Sequence, residues 1–194
     1  MIRGILLCAG ASTRFGSQKL LHPLADGRAL AVHAAEHLHA GVGNVLAVVR
    51  PGSDALKRSL EAIGCEVLVA ARANEGMGAS LATAIAASSQ AEGWVVALGD
   101  MPGILPGTHR AVADALQRGA LIAAPFLETS GERGHPVGFS AAHREALAAL
   151  EGDAGARSIL ISHAQQIVKV PVNDAGILAD IDRPGDLPKG AAKP

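Results

Sequence analysis

The stretch LLCAGASTRFGSQKLL, residues 6–21, joins an apolar run to a loop of small, polar and basic residues. The run before the loop, GILLCA (4–9), is typical of a buried β-strand. Small residues such as Gly10 let backbone N–H groups approach a ligand closely, and Arg14 and Lys19 can both bind phosphate oxygens. On this chemistry alone, the segment is either an ordinary turn with two solvated cations or a loop that binds an anion.

The spacing within this loop excludes two familiar phosphate-binding motifs. A Walker A loop needs four residues between its glycines and a Lys directly after the second glycine. Here five residues separate Gly10 from Gly16, and Lys19 lies three positions further on. The dinucleotide fingerprint G-x-G-x-x-G is also missing. If the loop binds phosphate, it does so with a different motif.

Outward from this loop, short apolar runs alternate with Ala-rich stretches along most of the chain. This alternation predicts βαβ units and a mostly parallel sheet with helices on both faces, a single-domain three-layer α/β/α fold. The turn-rich segment 127–139 interrupts the alternation and is predicted to be a loop or hairpin. The predicted strands are 4–9, 44–49, 65–70, 94–100, 121–126 and 166–172, and the predicted helices are 29–41, 53–64, 77–90, 106–119, 140–152 and 155–163.

Length and composition favour one cytoplasmic domain. The 194 residues suit a single domain, predicted over 1–187 and followed by a flexible polar tail, 188–194. No apolar run approaches the ~20 residues of a membrane span, and the first apolar run is too short for a signal peptide core. Cys8 and Cys65 form no C-x-x-C, so buried thiols in a reducing compartment are expected.

The aromatic content and the charge argue against a nucleic-acid partner. The chain has three Phe, one Trp and no Tyr, which leaves few platforms on which bases can stack. Its formal net charge is −1, and no segment forms a basic run that would bind a phosphate backbone. We therefore expect a small-molecule partner.

A carboxylate also stands at the end of a predicted strand. In VVALGDMPG (95–103), the apolar run ends at Asp100, and the Pro and Gly that follow turn the chain. Ligands of open α/β sheets bind at the carboxyl ends of the strands, and Mg²⁺ takes one or two carboxylates there. Asp100 is thus either a metal ligand or a turn-forming residue. The acidic segment ADIDRPGDL (179–187) is a solvated turn unless a metal needs a second carboxylate.

A competing motif lies in the first helix. HAAEH (33–37) matches H-x-x-E-H, which occurs in zinc peptidases, and places His33 and His37 on one helix face. No third ligand is arranged with this pair in the sequence. A surface or partly packed helix therefore accounts for it better.

Residues 7–21, L-C-A-G-A-S-T-R-F-G-S-Q-K-L-L, resemble the loop L-x-A-G-x-S-x-R-x-G-x-x-K-L-L of the MobA-like nucleotidyltransferases. The resemblance implies a Rossmann-like, GT-A-like nucleotidyltransferase domain over 1–187. Within the family the chain looks most like molybdenum cofactor cytidylyltransferase, because guanylyl-transferring relatives carry Gly-Gly where it has Ala9-Gly10. The similarity continues through NEGMGASLATAI (74–85), LGDMP (98–102), GERGHPVGF (131–139), EGDAGARSIL (151–160) and DIDRPGDL (180–187).

The resemblance implies a Mg²⁺-dependent transfer of a nucleotide. A nucleoside monophosphate, CMP from CTP, would pass to the terminal phosphate of a molybdopterin-type acceptor with release of pyrophosphate, and a molybdoenzyme would be the client. The attacking phosphate is already anionic, so catalysis would consist mostly of positioning and charge stabilisation. The alternatives are a non-catalytic carrier of molybdenum cofactor and transfer from GTP or another NTP to a different small phosphate.

The resemblance also assigns roles to charged residues. It makes Arg14, Lys19 and Asp100 catalytic, with Asp100 and Asp182 as the metal ligands. Arg183 stands where the family usually has Thr after the second carboxylate, so the hydrogen bonding around Asp182 is expected to differ.

Further positions are implied to bind the two substrates. His135 and Arg157 would contact the acceptor, or else be a turn histidine and a surface arginine. Ser80 would either bond the nucleotide or belong to the first turn of its helix. The implied nucleotide-binding residues are Ala9, Gly10, Ala11, Ser12, Arg14, Lys19, Asn74, Gly76, Ser80 and Asp100.

Overall fold

The structure is a computed structural model that describes residues 1–10, 15 and 18–187. The predictions for Ala11, Ser12 and Arg14, and for the tail 188–194, lie outside these residues. Seven strands form one sheet with the order β3-β2-β1-β4-β6-β5-β7. They are β1 (Ile2–Cys8), β2 (Val45–Val49), β3 (Glu66–Val69), β4 (Gly93–Leu98), β5 (Ile122–Leu127), β6 (Val137–Ser140) and β7 (Ile167–Val172).

The described residues form six α-helices, joined by short 3-10 helices. None of these helices has both the length and the apolar character needed to cross a bilayer. The helices are α1 (Leu30–Val42), α2 (Asp54–Glu61), α3 (Met77–Ala87), α4 (Pro106–Gln117), α5 (Arg144–Ala148) and α6 (Arg157–Ser162).

The sheet is mostly parallel, as predicted. β1 pairs in parallel with β2 and β4, β2 with β3, and β5 with β7. Only β6 runs antiparallel, between β4 and β5. Every residue of β2 is buried, as expected for a central parallel strand covered by helices on both faces.

Two apolar layers cover the two faces of the sheet. Successive side chains of β1 point to opposite faces of the sheet, so Ile5 belongs to one buried cluster and Leu6 to the other. The layer with Leu6 includes residues of α1, α2 and α4, whereas the layer with Ile5 includes residues of α3, α5 and α6. This arrangement confirms the predicted three-layer α/β/α fold.

The structure corrects two local predictions and confirms a third. The predicted helix 140–152 is only a 3-10 turn, Ala141–His143, followed by α5, which ends at Ala148. The segment 127–139, expected to be a loop or hairpin, connects β5 to β6, which pair antiparallel as a hairpin. The predicted strand 94–100 ends at Leu98, which leaves Asp100 beyond the hydrogen-bonded ladder at the sheet edge.

Candidate functional site at the carboxyl edge of the sheet

A cleft of about 650 Å³ opens at the carboxyl edge of the sheet. Its lining includes residues that follow four neighbouring strands: Gly10 after β1, Arg50 after β2, Asn74 after β3 and Asp100 after β4. Asp182 reaches the same cleft from the chain beyond β7. The parallel strand order therefore brings residues from distant parts of the sequence to one edge, where open α/β sheets bind their ligands.

Lys19 joins two carboxylates on one side of this cleft. Its side chain is buried, and Nζ donates hydrogen bonds to Asp100 Oδ2 at 2.9 Å and to Asp182 Oδ1 at 3.1 Å. Burial alone would lower the pKa of the Lys19 amine, but its hydrogen bonds and charge interactions with the two aspartates outweigh burial and raise it. The amine therefore stays protonated. We call Lys19, Asp100 and Asp182 the acidic wall.

The acidic wall fits a divalent cation that also binds a phosphate. Asp100 Oδ1 is buried and has no hydrogen-bond partner among the described residues, so it is available as a ligand. A single ammonium group already lies within hydrogen-bond distance of both carboxylates. The described residues contain no group of three or more His, Cys, Asp or Glu arranged for a metal. Mg²⁺ needs only one or two carboxylates when phosphate and water supply its other ligands.

The turn that carries Asp182 is held by a third aspartate. The backbone N–H groups of Asp182 and Arg183 donate to Asp186 Oδ2 at 3.0 and 2.7 Å. Asp186 thus organises the turn that contains Asp182 and Arg183. Just before the turn, the Ile181 N–H donates to the carbonyl of Asp100 at 3.0 Å, which brings the two metal-ligand candidates side by side.

The opposite side of the cleft is built around the start of α3. A 3-10 helix, Ala73–Glu75, leads into Gly76, whose φ of 117° disfavours any other residue. A Cβ at Gly76 would also overlap the backbone of Gly152. Ser80 is only 2% exposed, and its Oγ donates to the Gly76 carbonyl at 3.2 Å, so its hydroxyl is engaged within its own helix.

Arg50 completes this side of the cleft and was missed by the sequence analysis. Its Nη2 donates to Asn74 Oδ1 at 2.7 Å, and both residues line the cleft. The available signal was an arginine directly after a predicted strand, a position that no motif marks. We call Arg50, Asn74, Gly76 and Ser80 the helical wall.

The two predicted acceptor residues lie outside the lining of the cleft. The His135 N–H donates to the Ile177 carbonyl at 2.9 Å, and its Nδ1 is buried with no partner among the residues the structure describes. Burial lowers the pKa of His135, and the negative charge of Asp100 opposes this shift, so the imidazole interacts electrostatically with the acidic wall. Arg157 is exposed at the start of α6.

The competing zinc motif on α1 is used for other contacts. His33 Nε2 lies 2.9 Å from Asp26 Oδ1, and His37 Nδ1 lies 2.9 Å from the Ile104 carbonyl. Both histidines therefore interact with protein groups rather than sharing a ligand position. Cys8 and Cys65 are buried free thiols, and burial raises the pKa of each, which disfavours a thiolate nucleophile.

Comparisons with known proteins agree with this architecture. Rv0371c from Mycobacterium tuberculosis H37Rv shares 29% identity over 95% of this chain and 94% of its own, with a TM-score of 0.80. A structure of Rv0371c in complex with manganese shows 26% identity, 95% coverage of both chains and a TM-score of 0.79. Mth528, a nucleotidyl transferase from Methanothermobacter thermautotrophicus, shares the fold at 21% identity, with a TM-score of 0.78 over 96% of this chain and 94% of its own. No curated protein matches the sequence.

One family accounts for most of the chain. Residues 4–167 match the MobA-like NTP transferase domain, a segment that runs from within β1 to the first residue of β7. The match takes in every cleft-lining residue named above except Asp182. The chain therefore belongs to the MobA-like NTP transferase family.

Proposed function

We propose that this nucleotidyltransferase transfers CMP from CTP to the terminal phosphate of a molybdopterin-type acceptor, with Mg²⁺ and with release of pyrophosphate. The observation that carries the proposal is the acidic wall, in which Lys19 Nζ lies 2.9 and 3.1 Å from Asp100 and Asp182 at the ligand-binding edge of an NTP transferase fold. Such a wall combines a phosphate-binding cation with two carboxylates suited to a divalent metal.

The balance of charge in the cleft supports a metal requirement. Among the described residues that line it, the cations are Lys19 and Arg50, and they face the carboxylates of Asp100, Asp153 and Asp182. A triphosphate would be repelled by three carboxylates unless a cation neutralised part of that charge. Asp100 and Asp182 would hold Mg²⁺, which stabilises charge on the triphosphate and on the departing pyrophosphate. The manganese complex of Rv0371c supports a divalent metal in this fold.

The chain itself would act mainly by positioning. The acceptor phosphate is anionic at neutral pH and needs no general base, and the described lining of the cleft contains no histidine or cysteine. Lys19 stays protonated, and since two of its three N–H groups donate to the aspartates, one is left for a phosphate oxygen. Arg14, which lies outside the described residues, remains a proposed triphosphate ligand. These contacts would orient the α-phosphorus for in-line displacement.

The helical wall is proposed to hold the nucleoside. Arg50 and Asn74 follow β2 and β3, two and three strands away from Asp100. Adjacent strands are about 4.8 Å apart, so this distance suits a nucleoside whose phosphates lie at the acidic wall. The preference for CTP rests on Ala9, a cleft-lining residue at a position where guanylyl-transferring relatives have Gly. His135, whose backbone N–H bonds the Ile177 carbonyl, is proposed to face the acceptor.

Pyrophosphate release tests the proposal. The protein, Mg²⁺ and a molybdopterin acceptor are mixed with CTP, GTP, ATP or UTP in turn, and pyrophosphate and nucleotide products are quantified. We expect release with CTP to exceed release with each other NTP. Tight cofactor binding without pyrophosphate from any NTP would favour the carrier alternative. Transfer only to another small phosphate would exclude the molybdopterin assignment.

A further inference from the structure

Asp182 reaches the cleft through a segment that crosses the edge of the sheet after β7. We call this segment, residues 174–182, the strap. It contains one 3-10 helix, Ala175–Leu178, and no strand. The Asp182 side chain is 39% exposed, so its position depends on the strap as well as on Lys19 and on the turn that Asp186 holds.

Asp174 anchors the start of the strap to α4. It is a buried carboxylate, 5% exposed, and accepts three hydrogen bonds. Oδ2 accepts from the Leu105 N–H at 2.9 Å and from Thr108 Oγ1 at 2.6 Å, while Oδ1 accepts from the Gly176 N–H at 3.0 Å. These three donors satisfy a charge that would otherwise be expensive to bury.

The N-terminus of α4 is capped by a residue that is far away in the sequence. Helices are usually capped by a Ser, Thr, Asp or Asn at the N-cap position itself, but here that position is Leu105, which cannot cap with its side chain. The capping carboxylate comes instead from Asp174, 69 positions away in the chain. The same interaction therefore caps the helix and ties the strap to it.

Further backbone contacts connect the anchored start of the strap to the cleft. Gly176 packs directly on Gly103, and a Cβ at Gly176 would overlap the Gly103 carbonyl. The Ile177 carbonyl accepts from the His135 N–H at 2.9 Å, and the Ile181 N–H donates to the Asp100 carbonyl at 3.0 Å. The strap is thus fixed at both ends, next to the segment that carries the other carboxylate of the acidic wall.

We propose that Asp174 is a positioning residue for the metal site, which acts through the strap to hold Asp182 against Asp100 and Lys19. This inference rests on the proposed metal-dependent nucleotidyl transfer. Groups that orient metal ligands typically change metal affinity about 10–100-fold when they are substituted. Asp174 does not touch the cleft, so its effect reaches the metal through the strap and the residues that the strap positions.

The test uses Asp174→Asn in the full chain, with Mn²⁺ as the probe. Asn retains one acceptor oxygen but turns an NH₂ group toward backbone donors, which loosens the anchor. Free Mn²⁺ is counted by electron paramagnetic resonance in the presence of CTP, and the Mn²⁺ bound by CTP alone is measured separately and subtracted. We expect the Mn²⁺ dissociation constant to rise about 10-fold or more. The Mg²⁺ concentration for half-maximal pyrophosphate release should rise in parallel, with the KM for CTP unchanged at saturating metal.

Thr108→Val provides a milder variant, and Ser88→Ala a matched control. Thr108→Val removes one donor to Asp174 while keeping the side-chain shape, so a smaller rise in the Mn²⁺ dissociation constant is expected. Ser88 Oγ accepts a buried hydrogen bond from Trp94 Nε1 at 2.9 Å near the end of α3, away from the cleft lining. Ser88→Ala should lower the melting temperature and leave Mn²⁺ binding unchanged.

The outcomes separate the possibilities. If Asp174→Asn and Thr108→Val bind Mn²⁺ like the wild type, or if Ser88→Ala weakens binding equally, the positioning role is wrong. If Asp174→Asn does not fold, Mn²⁺ binding by Thr108→Val decides whether Asp174 has the positioning role. If the wild type releases no pyrophosphate with any NTP, the proposed function fails, while the comparison of Mn²⁺ binding still tests the strap.

Discussion

The two walls of the cleft are built in different ways. The acidic wall brings together three charged side chains from separate parts of the chain: Lys19 after β1, Asp100 after β4 and Asp182 after β7. The helical wall is mostly one continuous segment at the start of α3, with Arg50 added from β2.

This difference in construction predicts a difference in sensitivity. In the acidic wall, both carboxylates bond the same buried ammonium, so loss of Lys19 leaves two carboxylates unpaired, and loss of either aspartate removes one of the two candidate metal ligands. In the helical wall, the hydrogen bonds go to neutral acceptors, an amide oxygen and a backbone carbonyl, so a single loss leaves no unpaired carboxylate and should have a smaller effect. Substitutions in the acidic wall should therefore reduce turnover, and those in the helical wall should mainly weaken binding.

Asp100→Asn or Lys19→Ala should have the largest effect. Each removes a preorganised charge at the reacting phosphates, so turnover should fall at least ~100-fold while the fold survives. Initial rates of pyrophosphate release and far-ultraviolet circular dichroism would measure the two quantities. Near-normal turnover in Asp100→Asn would show that the metal assignment is wrong.

Asp182→Asn should have the next largest effect, and it should appear first as a need for a higher Mg²⁺ concentration. One ligand candidate remains at Asp100, so the Mg²⁺ concentration for half-maximal activity should rise at least as much as in Asp174→Asn, about 10-fold or more. Chelation with EDTA should abolish activity in the wild type, and added Mg²⁺ or Mn²⁺ should restore it. Activity that survives chelation would remove the basis for the acidic wall as a metal site.

Arg50→Ala should have a smaller effect, confined to binding. Loss of a charged donor to the nucleotide is worth ~1.5 kcal/mol or more, which raises the KM for CTP about 10-fold with little change in kcat. Arg58→Ala, an exposed arginine on α2, is the matched control and should behave like the wild type. If Arg50→Ala lowers kcat and leaves KM unchanged, the contrast between the two walls fails.

The last prediction concerns the stability of the α4 layer rather than turnover or binding. His109 on α4 is buried, and burial lowers its pKa from 6.5 to about 4, with His37 adding to the shift and Asp174 opposing it. Between these pKa values the unfolded chain binds more protons than the folded one, so stability falls as pH drops through this window. The loss reaches up to about 3 kcal/mol by pH 4. Denaturant unfolding of His109→Gln should show a flatter pH dependence than the wild type.

The fold was largely predictable because it depends on hydrophobic patterning. Fully buried strands such as β2 appear as apolar runs, and their alternation with helices gave the parallel sheet and its ligand-binding edge. The predicted helix 140–152 was wrong because its apolar pattern continues past α5, whereas the helical backbone ends at Ala148. The apolar pattern itself contains no sign of that end.

The site was predictable only where a motif marks it. The resemblance to one family pointed to Lys19, Asp100 and Asp182, which the structure brings together. Arg50 was missed because a single arginine after a strand resembles any solvated cation. Asp174 was missed because its partners, Leu105 and Thr108, are 69 and 66 positions away and meet it only in the folded chain.

The most direct test of the account is the position of a metal in crystals grown with CTP and Mn²⁺. An anomalous difference map would locate the ion without reference to activity. We predict one strong peak between the carboxylates of Asp100 and Asp182, with Lys19 Nζ turned toward the triphosphate. A peak elsewhere, or CTP bound in the cleft with Lys19 still between two metal-free carboxylates, would contradict the account.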